Sequence, residues 1–252
     1  MLNIVIPMAG RGSRFQAVGY TLPKPLIPVL GRPMIKLVID NLRPRQEHRF
    51  IFLCLVEHIE RYKVDELLIQ WSPGCVVVPV DTVTEGAACT VLLAKEHIDT
   101  GSPLMIANSD QWVDIDINVY LARLDDASLD GLIMTMWADD PKWSFVRFDQ
   151  YGAITEVVEK QVVSNEATVG IYNFRRGSDF VRSAEEMIQL NLRVNNEFYV
   201  APAYNRMLAA GCRLGCYNVG KEADGMYGLG IPSDLELFER LLTDKGFESL
   251  TW

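Results

Sequence analysis

A loop rich in glycine and arginine follows the first apolar run of the chain. The run covers residues 2–7, and the loop is Gly10-Arg11-Gly12-Ser13-Arg14. Glycines let the backbone turn sharply and approach a ligand closely, and successive N–H groups in such a turn bind anions. Arginine adds planar donor forks that match phosphate oxygens. The loop indicates a phosphate cradle, with a surface turn bearing solvated arginines as the alternative, and its spacing matches neither a dinucleotide fingerprint nor a P-loop.

A lysine between two prolines follows this loop. The segment is Pro23-Lys24-Pro25. Because proline fixes φ, the lysine sits on a stiff stretch of backbone. A held ammonium suits negative charge that develops on a phosphate, whereas the alternative is an extended turn with an exposed lysine. The cradle and the stiff lysine together are more specific than either motif, and they predict phosphate chemistry.

The elements that must position these residues alternate between strand and helix. Strands are predicted at residues 2–7, 50–56, 76–80 and 103–110, with helices at 33–42, 59–71 and 86–98. Such alternation predicts a parallel sheet with right-handed crossovers, which binds ligands at the carboxyl ends of its strands. The loops after residues 7 and 80 and the carboxylate of Asp110 should therefore meet at one edge of the sheet.

The second half of the chain has a different pattern. We predict strands at 131–138, 167–174 and 213–219, an antiparallel hairpin over 143–160, and helices at 178–192, 198–210 and 232–242. The fold class is therefore α/β, with a mainly parallel Rossmann-like sheet and an antiparallel lobe. We expect a single domain over residues 1–252, with halves at 1–115 and 116–252.

Composition excludes several classes of protein. A hydrophobic fraction of 49% excludes a disordered chain, and a net charge of −9 makes the protein a poor general binder of nucleic acid. No apolar run reaches the ~20 residues of a membrane span, and the first run is too short for a signal peptide. The cysteines form no CxxC and no convincing zinc pattern, so we expect free thiols in a reducing cytoplasm: Cys54, Cys75, Cys89, Cys212 and Cys216.

The two motifs resemble the signature of the sugar-phosphate nucleotidyltransferases, in which a GxG[ST]R loop precedes a PKP turn. Further segments resemble the family's motifs, so that the similarity spans roughly residues 3–238: Thr84-Glu85-Gly86-Ala87-Ala88, Asn108-Ser109-Asp110, Glu159-Lys160, Val169-Gly170-Ile171-Tyr172 and Gly228-Leu229-Gly230-Ile231-Pro232-Ser233-Asp234-Leu235. The resemblance implies a glycosyltransferase-A-type fold, with a nucleotide-binding first half and a sugar-phosphate-binding second half. It also implies an enzyme that joins a nucleoside triphosphate to a phosphorylated sugar or related alcohol, releases pyrophosphate and supplies surface polysaccharide or glycoconjugate synthesis.

The resemblance further implies roles for individual residues. Arg14, Lys24 and Asp110 would be catalytic, with Asp110 holding Mg²⁺, a hard ion that prefers oxygen ligands. The nucleotide would contact Met8, Ala9, Gly10, Arg11, Gly12, Ser13, Thr84, Gly86, Ala87 and Ser109. The acceptor would contact Glu159, Lys160 and Gly170. Because a phosphate dianion is already a nucleophile, no general base is expected, and His48, His58 and His97 are interpreted as surface or structural residues.

Several points stay open. Asn196 and Glu197 suit a polyhydroxy acceptor or else begin a helix, and residues 139–143 are candidates for the same cleft. Gly228 stands where many relatives have a second metal-binding aspartate, with Asp224 as a candidate substitute, and Ile231 replaces the more usual threonine. The alternatives are a glycosyltransferase that uses Asp114-Ile115-Asp116 as a DxD motif, and a non-catalytic nucleotide-binding module. The sequence leaves open which nucleobase and which acceptor bind, and whether the chain forms a homo-oligomer.

Overall fold

One sheet of eleven strands runs through the computed structural model, which describes residues 1–125 and 129–244. A separate two-stranded sheet pairs β2 with β3. The strands are β1 (Leu2–Pro7), β2 (Pro28–Val29), β3 (Arg32–Pro33), β4 (His48–Leu55), β5 (Val76–Val80), β6 (Leu104–Ala107), β7 (Gln111–Val113), β8 (Gly131–Trp137), β9 (Ser144–Phe148), β10 (Ile154–Glu159), β11 (Glu166–Phe174), β12 (Leu214–Glu222) and β13 (Gly225–Gly228).

The helices differ from the predicted ones chiefly in where they break. They are α1 (Ser13–Gln16), α2 (Met34–Leu42), α3 (Val56–Tyr62), α4 (Val64–Trp71), α5 (Ala87–Leu92), α6 (Lys95–Ile98), α7 (Ile117–Leu124), α8 (Gly177–Gln189), α9 (Ala203–Ala209) and α10 (Pro232–Asp244). The helix predicted over 59–71 is two helices, because Lys63 adopts a left-handed φ of 54° between them. The helix predicted over 86–98 is also divided, and the one predicted from residue 198 begins after Pro202, a residue suited to a first turn.

The first half of the chain forms the parallel part of the sheet. The strand order is β5-β4-β1-β6, and each neighbouring pair is parallel. β1 and β4 are buried along most of their length, as expected of strands that helices cover on both faces. Because the strands run the same way, their carboxyl ends share one edge. The predicted α/β fold is confirmed.

The second half extends the sheet and adds antiparallel strands. β11 is antiparallel to both β6 and β8, and the β9–β10 hairpin joins through β9. The strand predicted over 103–110 ends at Ala107, and β7 then pairs with β13. The N–H of Leu229 donates to the carbonyl of Asp110 at 2.8 Å. The segment that carries Asp110 is thus fixed between the parallel sheet and the turn after β13.

A separate hydrophobic cluster ties the amino-terminal loops to the carboxyl-terminal helix. Phe15 of α1, Ile27, Met34 of α2, Leu229 and Phe238 of α10 belong to it, and each is almost fully buried. Burial of a large apolar side chain contributes about 1.5–3 kcal/mol, so this cluster holds the loops in place. Across residues 1–125 and 129–244, no helix combines the length and the apolar character needed to cross a membrane.

Candidate active site

A cavity of about 490 Å³ opens at the carboxyl-terminal edge of the parallel strands. Its walls come from the loop after β1, the Lys24 segment, the loop before α5, the loop after β6, Glu197 and Gly230. The loop after β1, the loop before α5 and Asp110, which the sequence predicted to meet, therefore border the same space. Parallel strands bring their terminal loops together in this way even when the loops are far apart in sequence.

The ammonium of Lys24 contacts the carboxylate of Asp110 in this cavity. Nζ donates to Oδ2, and the two side chains are 20% and 25% exposed. Pro23 has an extended backbone, and a 3₁₀ turn over Lys24–Leu26 buries the two residues that follow the lysine. The stiff segment therefore delivers its charge to the edge where the strands end, beside the predicted metal-binding carboxylate.

Two glycines are required for this close approach. A Cβ on Gly12, whose φ is +63°, would lie 2.9 Å from Cβ of Lys24. A Cβ on Gly230 would lie 2.8 Å from Oδ2 of Asp110 and 3.8 Å from Nζ of Lys24. Hence the glycine loop packs on the lysine from one side, and the turn after β13 packs on the ion pair from the other.

Among the described residues, the glycine loop has backbone amides without backbone hydrogen-bond partners. Gly12 accepts hydrogen bonds from the N–H groups of Phe15 and Gln16 at 3.0 and 3.3 Å. In the described part of the chain, the N–H groups of Gly10 through Arg14 donate to no backbone carbonyl. Free amides beside Arg14 suit the oxygens of a polyphosphate.

The loop before α5 is bonded to the segment around Phe198. Gly86 has φ +133°, and a Cβ there would lie 2.5 Å from the carbonyl oxygen of Phe198. The N–H of Ala88 donates to that carbonyl at 3.0 Å, and the N–H of Phe198 donates to the carbonyl of Glu85 at 2.9 Å. Within the loop, the Thr84 hydroxyl donates to the carbonyl of Gly86 at 2.9 Å. The predicted nucleotide loop and the predicted acceptor segment therefore form one connected wall.

The acceptor side contains a buried carboxylate. The Glu159 side chain is only 4% exposed, accepts a hydrogen bond from the Ser144 hydroxyl and lies 3.6 Å from the Lys160 ammonium. Burial raises its pKa, while Ser144 and Lys160 oppose that shift. Lys160 Nζ lies 5.3 Å from the centre of the Tyr199 ring. A carboxylate held in this way can accept hydrogen bonds from a ligand's polar groups.

Most of the predicted site residues lie in the cavity wall. The predicted residues that line it are Met8, Ala9, Gly10, Gly12, Ser13, Arg14, Lys24, Thr84, Gly86, Ala87, Ser109, Asp110 and Glu197. Arg11 is different, because it lines a neighbouring cavity of about 480 Å³ together with His58 and Arg61.

Four of the predicted acceptor residues do not line the main cavity. Glu159 and Lys160 lie beyond it, on and just after β10. Gly170, with φ +83°, supports the site indirectly, since a Cβ there would lie 2.1 Å from Nδ2 of Asn108. Asn196 has φ +64°, and its carbonyl accepts a bond from Arg193 at 3.2 Å. In the 139–143 segment, Lys142 contacts Glu222 at 2.9 Å, and the segment does not reach the cavity wall.

Sequence analysis gave no individual role to several residues that support the site. Asn108, Thr90 and Gly230 line the cavity, and Ser144 contacts Glu159. Asn108 stands two residues before Asp110 at a strand end, and Thr90 lies one helical turn after Gly86, so sequence spacing could have identified both as site residues. No sequence pattern indicates Ser144, because its contact with Glu159 depends on the register between β9 and β10.

The donor set fits a magnesium ion that takes most of its ligands from substrate. Asp110 offers a partly exposed carboxylate beside the phosphate cradle, and Mg²⁺ commonly binds one or two carboxylates plus phosphates and water. In the residues described, no group of three or more His, Cys, Asp or Glu side chains could hold a metal. Asp224 is the candidate substitute for the second metal-binding aspartate. Its side chain is 77% exposed, and its Oδ2 lies 3.7 Å from Nζ of Lys221. The carboxylate next to Gly228 in space is that of Asp234, whose Oδ2 would lie 3.3 Å from a Cβ on Gly228.

The Asp114-Ile115-Asp116 motif has structural contacts. Asp116 caps α7 by accepting from the N–H of Asn118 at 2.9 Å, and it pairs with Arg45 at 3.1 Å. The N–H of Asp114 donates to the carbonyl of Gly225 at 2.8 Å. Neither residue lines the cavity, so the motif gives no support to the glycosyltransferase alternative.

The fold matches that of nucleotide-diphospho-sugar pyrophosphorylases in solved structures. A nucleoside-diphosphate-sugar pyrophosphorylase from Vibrio cholerae RC9 superimposes with a TM-score of 0.79 at 25% identity, covering 94% of this chain and 99% of that one. A UDP-glucose pyrophosphorylase complexed with UDP-glucose has the same fold, with a TM-score of 0.78 at 17% identity over 97% of this chain and 99% of that one.

The sequence itself identifies the family. The family model described as "Nucleotidyl transferase" matches residues 4–198, so the chain belongs to the nucleotidyl transferase family, as its motifs predicted. The bifunctional protein GlmU of Burkholderia pseudomallei is 26% identical in an alignment of 245 residues that covers 94% of this chain and 51% of that protein. The chain thus spans about half the length of the curated relatives it matches.

Proposed function

We propose that the protein joins a nucleoside triphosphate to a phosphorylated sugar or sugar-like alcohol and releases pyrophosphate. The observation that carries this proposal is the contact of Lys24 with Asp110 beside open backbone amides, all in one cavity. A cationic arm, an anion-binding loop and a hard carboxylate are what a reaction between two phosphates needs. The product would be an activated sugar or alcohol for glycoconjugate synthesis.

In the proposed reaction, an oxygen of the acceptor's phosphate attacks the α-phosphorus of the nucleotide. The new bond joins that oxygen to the α-phosphorus, and the bond to the β-phosphate breaks, so that pyrophosphate leaves with the electron pair. The amides of residues 10–14 and Arg14 bind the triphosphate, and Lys24 neutralises charge on the transferring group. Because the attacking oxygen is already ionised, the site needs no side chain to remove a proton.

Asp110 would hold Mg²⁺ together with the phosphates. When bound, the ion supplies positive charge to the phosphate oxygens and lowers the repulsion between the two substrates. Lys24 contacts the same carboxylate, so Asp110 has a partner that orients it before any metal binds. The carboxylate therefore does not have to be ordered at the time of reaction.

The two halves of the chain would divide the substrates between them. Residues 1–115 supply the glycine loop, Lys24, the Gly86 loop and Asp110, and would bind the nucleotide. Residues 116–252 include Glu159, Lys160 and Glu197, and would bind the acceptor. Hydrogen bonds between the Gly86 loop and Phe198 connect the two sites, which supports productive alignment of the substrates.

Pyrophosphate release tests the proposal. Purified protein is incubated with Mg²⁺, each common nucleoside triphosphate in turn, and a panel of sugar 1-phosphates and polyol phosphates. We expect release with at least one pair and none with the nucleotide alone. Lys24→Ala and Asp110→Ala should abolish release without loss of the folded state. Absence of release with every pair, from folded protein, would contradict the proposal.

A further inference from the structure

A cluster of four side chains extends from the cavity wall at Glu197 to the end of β10. Glu197 lines the cavity and forms a hydrogen bond with the hydroxyl of Tyr199. The Tyr199 ring lies 5.3 Å from the ammonium of Lys160, and that ammonium is 3.6 Å from Oε1 of Glu159. We call Glu159, Lys160, Tyr199 and Glu197 the acceptor cluster. It contains two carboxylates and one cation.

Two cations outside the cluster, Lys24 and Arg193, have other partners. Lys24 pairs with Asp110, and Arg193 pairs with Glu85. Among the ion pairs of the described residues, Lys160 is the only cation within salt-bridge distance of Glu159, and none reaches Glu197. The acceptor cluster therefore carries more negative than positive charge before a substrate binds.

A phosphorylated acceptor increases this imbalance. A phosphate monoester adds about two negative charges near neutral pH. We take the ammonium of Lys160 as the partner of the acceptor's phosphate, which leaves the two carboxylates to the rest of the acceptor. The Glu159 carboxylate is almost fully buried, and buried charges are costly unless they are paired. A neutral hydroxyl donates one hydrogen bond but does not neutralise a carboxylate.

We propose that the acceptor carries a protonated amino group besides its phosphate, and that the ammonium binds to Glu197 and Glu159. An ammonium has three donors and a full positive charge, so it can serve both carboxylates. A hydroxyl also forms a charge-assisted hydrogen bond with a carboxylate, but only an ammonium adds the Coulomb attraction of a full opposite charge, which is strong in a poorly solvated site. The substrate class is therefore an amino sugar phosphate or another phosphorylated amino alcohol. This inference rests on the proposed nucleotidyl transfer.

Matched acceptors test the charge directly. Each pair differs only in an ammonium or a hydroxyl at one carbon: glucosamine 1-phosphate with glucose 1-phosphate, galactosamine 1-phosphate with galactose 1-phosphate, phosphoethanolamine with 2-hydroxyethyl phosphate, and phosphoserine with 3-phosphoglycerate. The readout is kcat/KM for pyrophosphate release with Mg²⁺ and the preferred nucleotide. For the best pair we expect the amino member to be favoured by about tenfold or more, in line with a charge-assisted hydrogen bond.

A charge-neutral variant separates the role of the carboxylate from general effects. Glu197→Gln keeps the shape of the side chain, and its backbone hydrogen bonds with Val194 are unaffected. In this variant the amino-over-hydroxyl ratio should fall by at least about fivefold, since the charged partner of the ammonium is gone. Glu66→Gln, at an exposed position on α4, is the matched control and should keep the wild-type ratio.

The outcomes distinguish this inference from the proposed function. Turnover with an amino preference that Glu197→Gln reduces supports both. Turnover with equal or better use of the hydroxyl members overturns the inference and leaves nucleotidyl transfer standing, and so does an amino preference that Glu197→Gln does not change. Absence of turnover with all members overturns both. Thermal unfolding of each variant shows that the comparison is made on folded protein.

Discussion

Replacing Gly230 with alanine should slow catalysis without unfolding the protein. A Cβ at this position would lie 2.8 Å from Oδ2 of Asp110, whereas ordinary van der Waals contact begins at 3.4 Å. The φ of Gly230 is outside the range that strains an alanine, so the perturbation is purely steric. The carboxylate of Asp110 is partly exposed, and it can move away from the methyl group.

The size of the effect follows from that displacement. Asp110 Oδ2 must retreat by about 0.6 Å, and a 1 Å misplacement of a catalytic group can cost about 10²-fold in rate. We therefore expect kcat to fall roughly tenfold to thirtyfold. Nζ of Lys24 would lie 3.8 Å from the methyl group, so the lysine is not displaced directly but loses its aligned partner.

The assay is steady-state pyrophosphate release, with thermal unfolding as the test of folding. Gly101→Ala is the matched control, because a Cβ there would meet nothing within 4 Å. The change in unfolding free energy should stay within about 1 kcal/mol for both variants. A Gly230→Ala protein with wild-type kcat would refute the reasoning, because the position of Asp110 would then not matter.

Three other variants test other parts of the site. Gly86→Ala should destabilise the protein by about 2 kcal/mol or more and weaken nucleotide binding, because its Cβ would lie 2.5 Å from a backbone carbonyl oxygen. Urea denaturation measures the loss of stability, and nucleotide titration measures the loss of binding. Burial raises the pKa of Glu159 in the folded state above its usual value of 4.5. Ionisation of this carboxyl therefore lowers the free energy of unfolding as the pH rises above 4.5. Glu159→Gln should therefore gain stability relative to wild type between pH 4 and pH 7 in urea denaturation, and a relative loss over that interval would contradict the assignment. Lys160→Met should raise the acceptor KM about tenfold or more with an unchanged nucleotide Kd, and an equal change in both would argue against a specific phosphate contact.

The sequence predicted the parallel sheet and the meeting of three loops for a simple physical reason. Apolar runs that alternate with helical patterns lead to parallel strands, and the carboxyl ends of parallel strands lie together. The glycine loop, the Gly86 loop and Asp110 consequently line one cavity. The family is confirmed as well, whereas the roles of the single residues, the metal and the acceptor stay predictions.

Other features depended on three-dimensional contacts that no local pattern encodes. Glu159 reaches Ser144 only because of the β9–β10 register, which shifts between Ile154 and Glu156. The break between α3 and α4 falls on Lys63, a left-handed residue that is not a glycine. Asp224 is near Gly228 in sequence, but the carboxylate that lies next to Gly228 in space belongs to Asp234, at the start of α10.

Phosphorus NMR of a reaction mixture tests nucleotidyl transfer most directly. The mixture contains protein, Mg²⁺, one nucleoside triphosphate and one phosphorylated acceptor, with Lys24→Ala protein as the comparison. We expect resonances of pyrophosphate and of a new mixed diphosphate to grow in equal amounts with wild-type protein and to be absent with the variant. Growth of nucleoside diphosphate and inorganic phosphate instead, or equal product from the Lys24→Ala protein, would contradict the role of this site in joining the two phosphates.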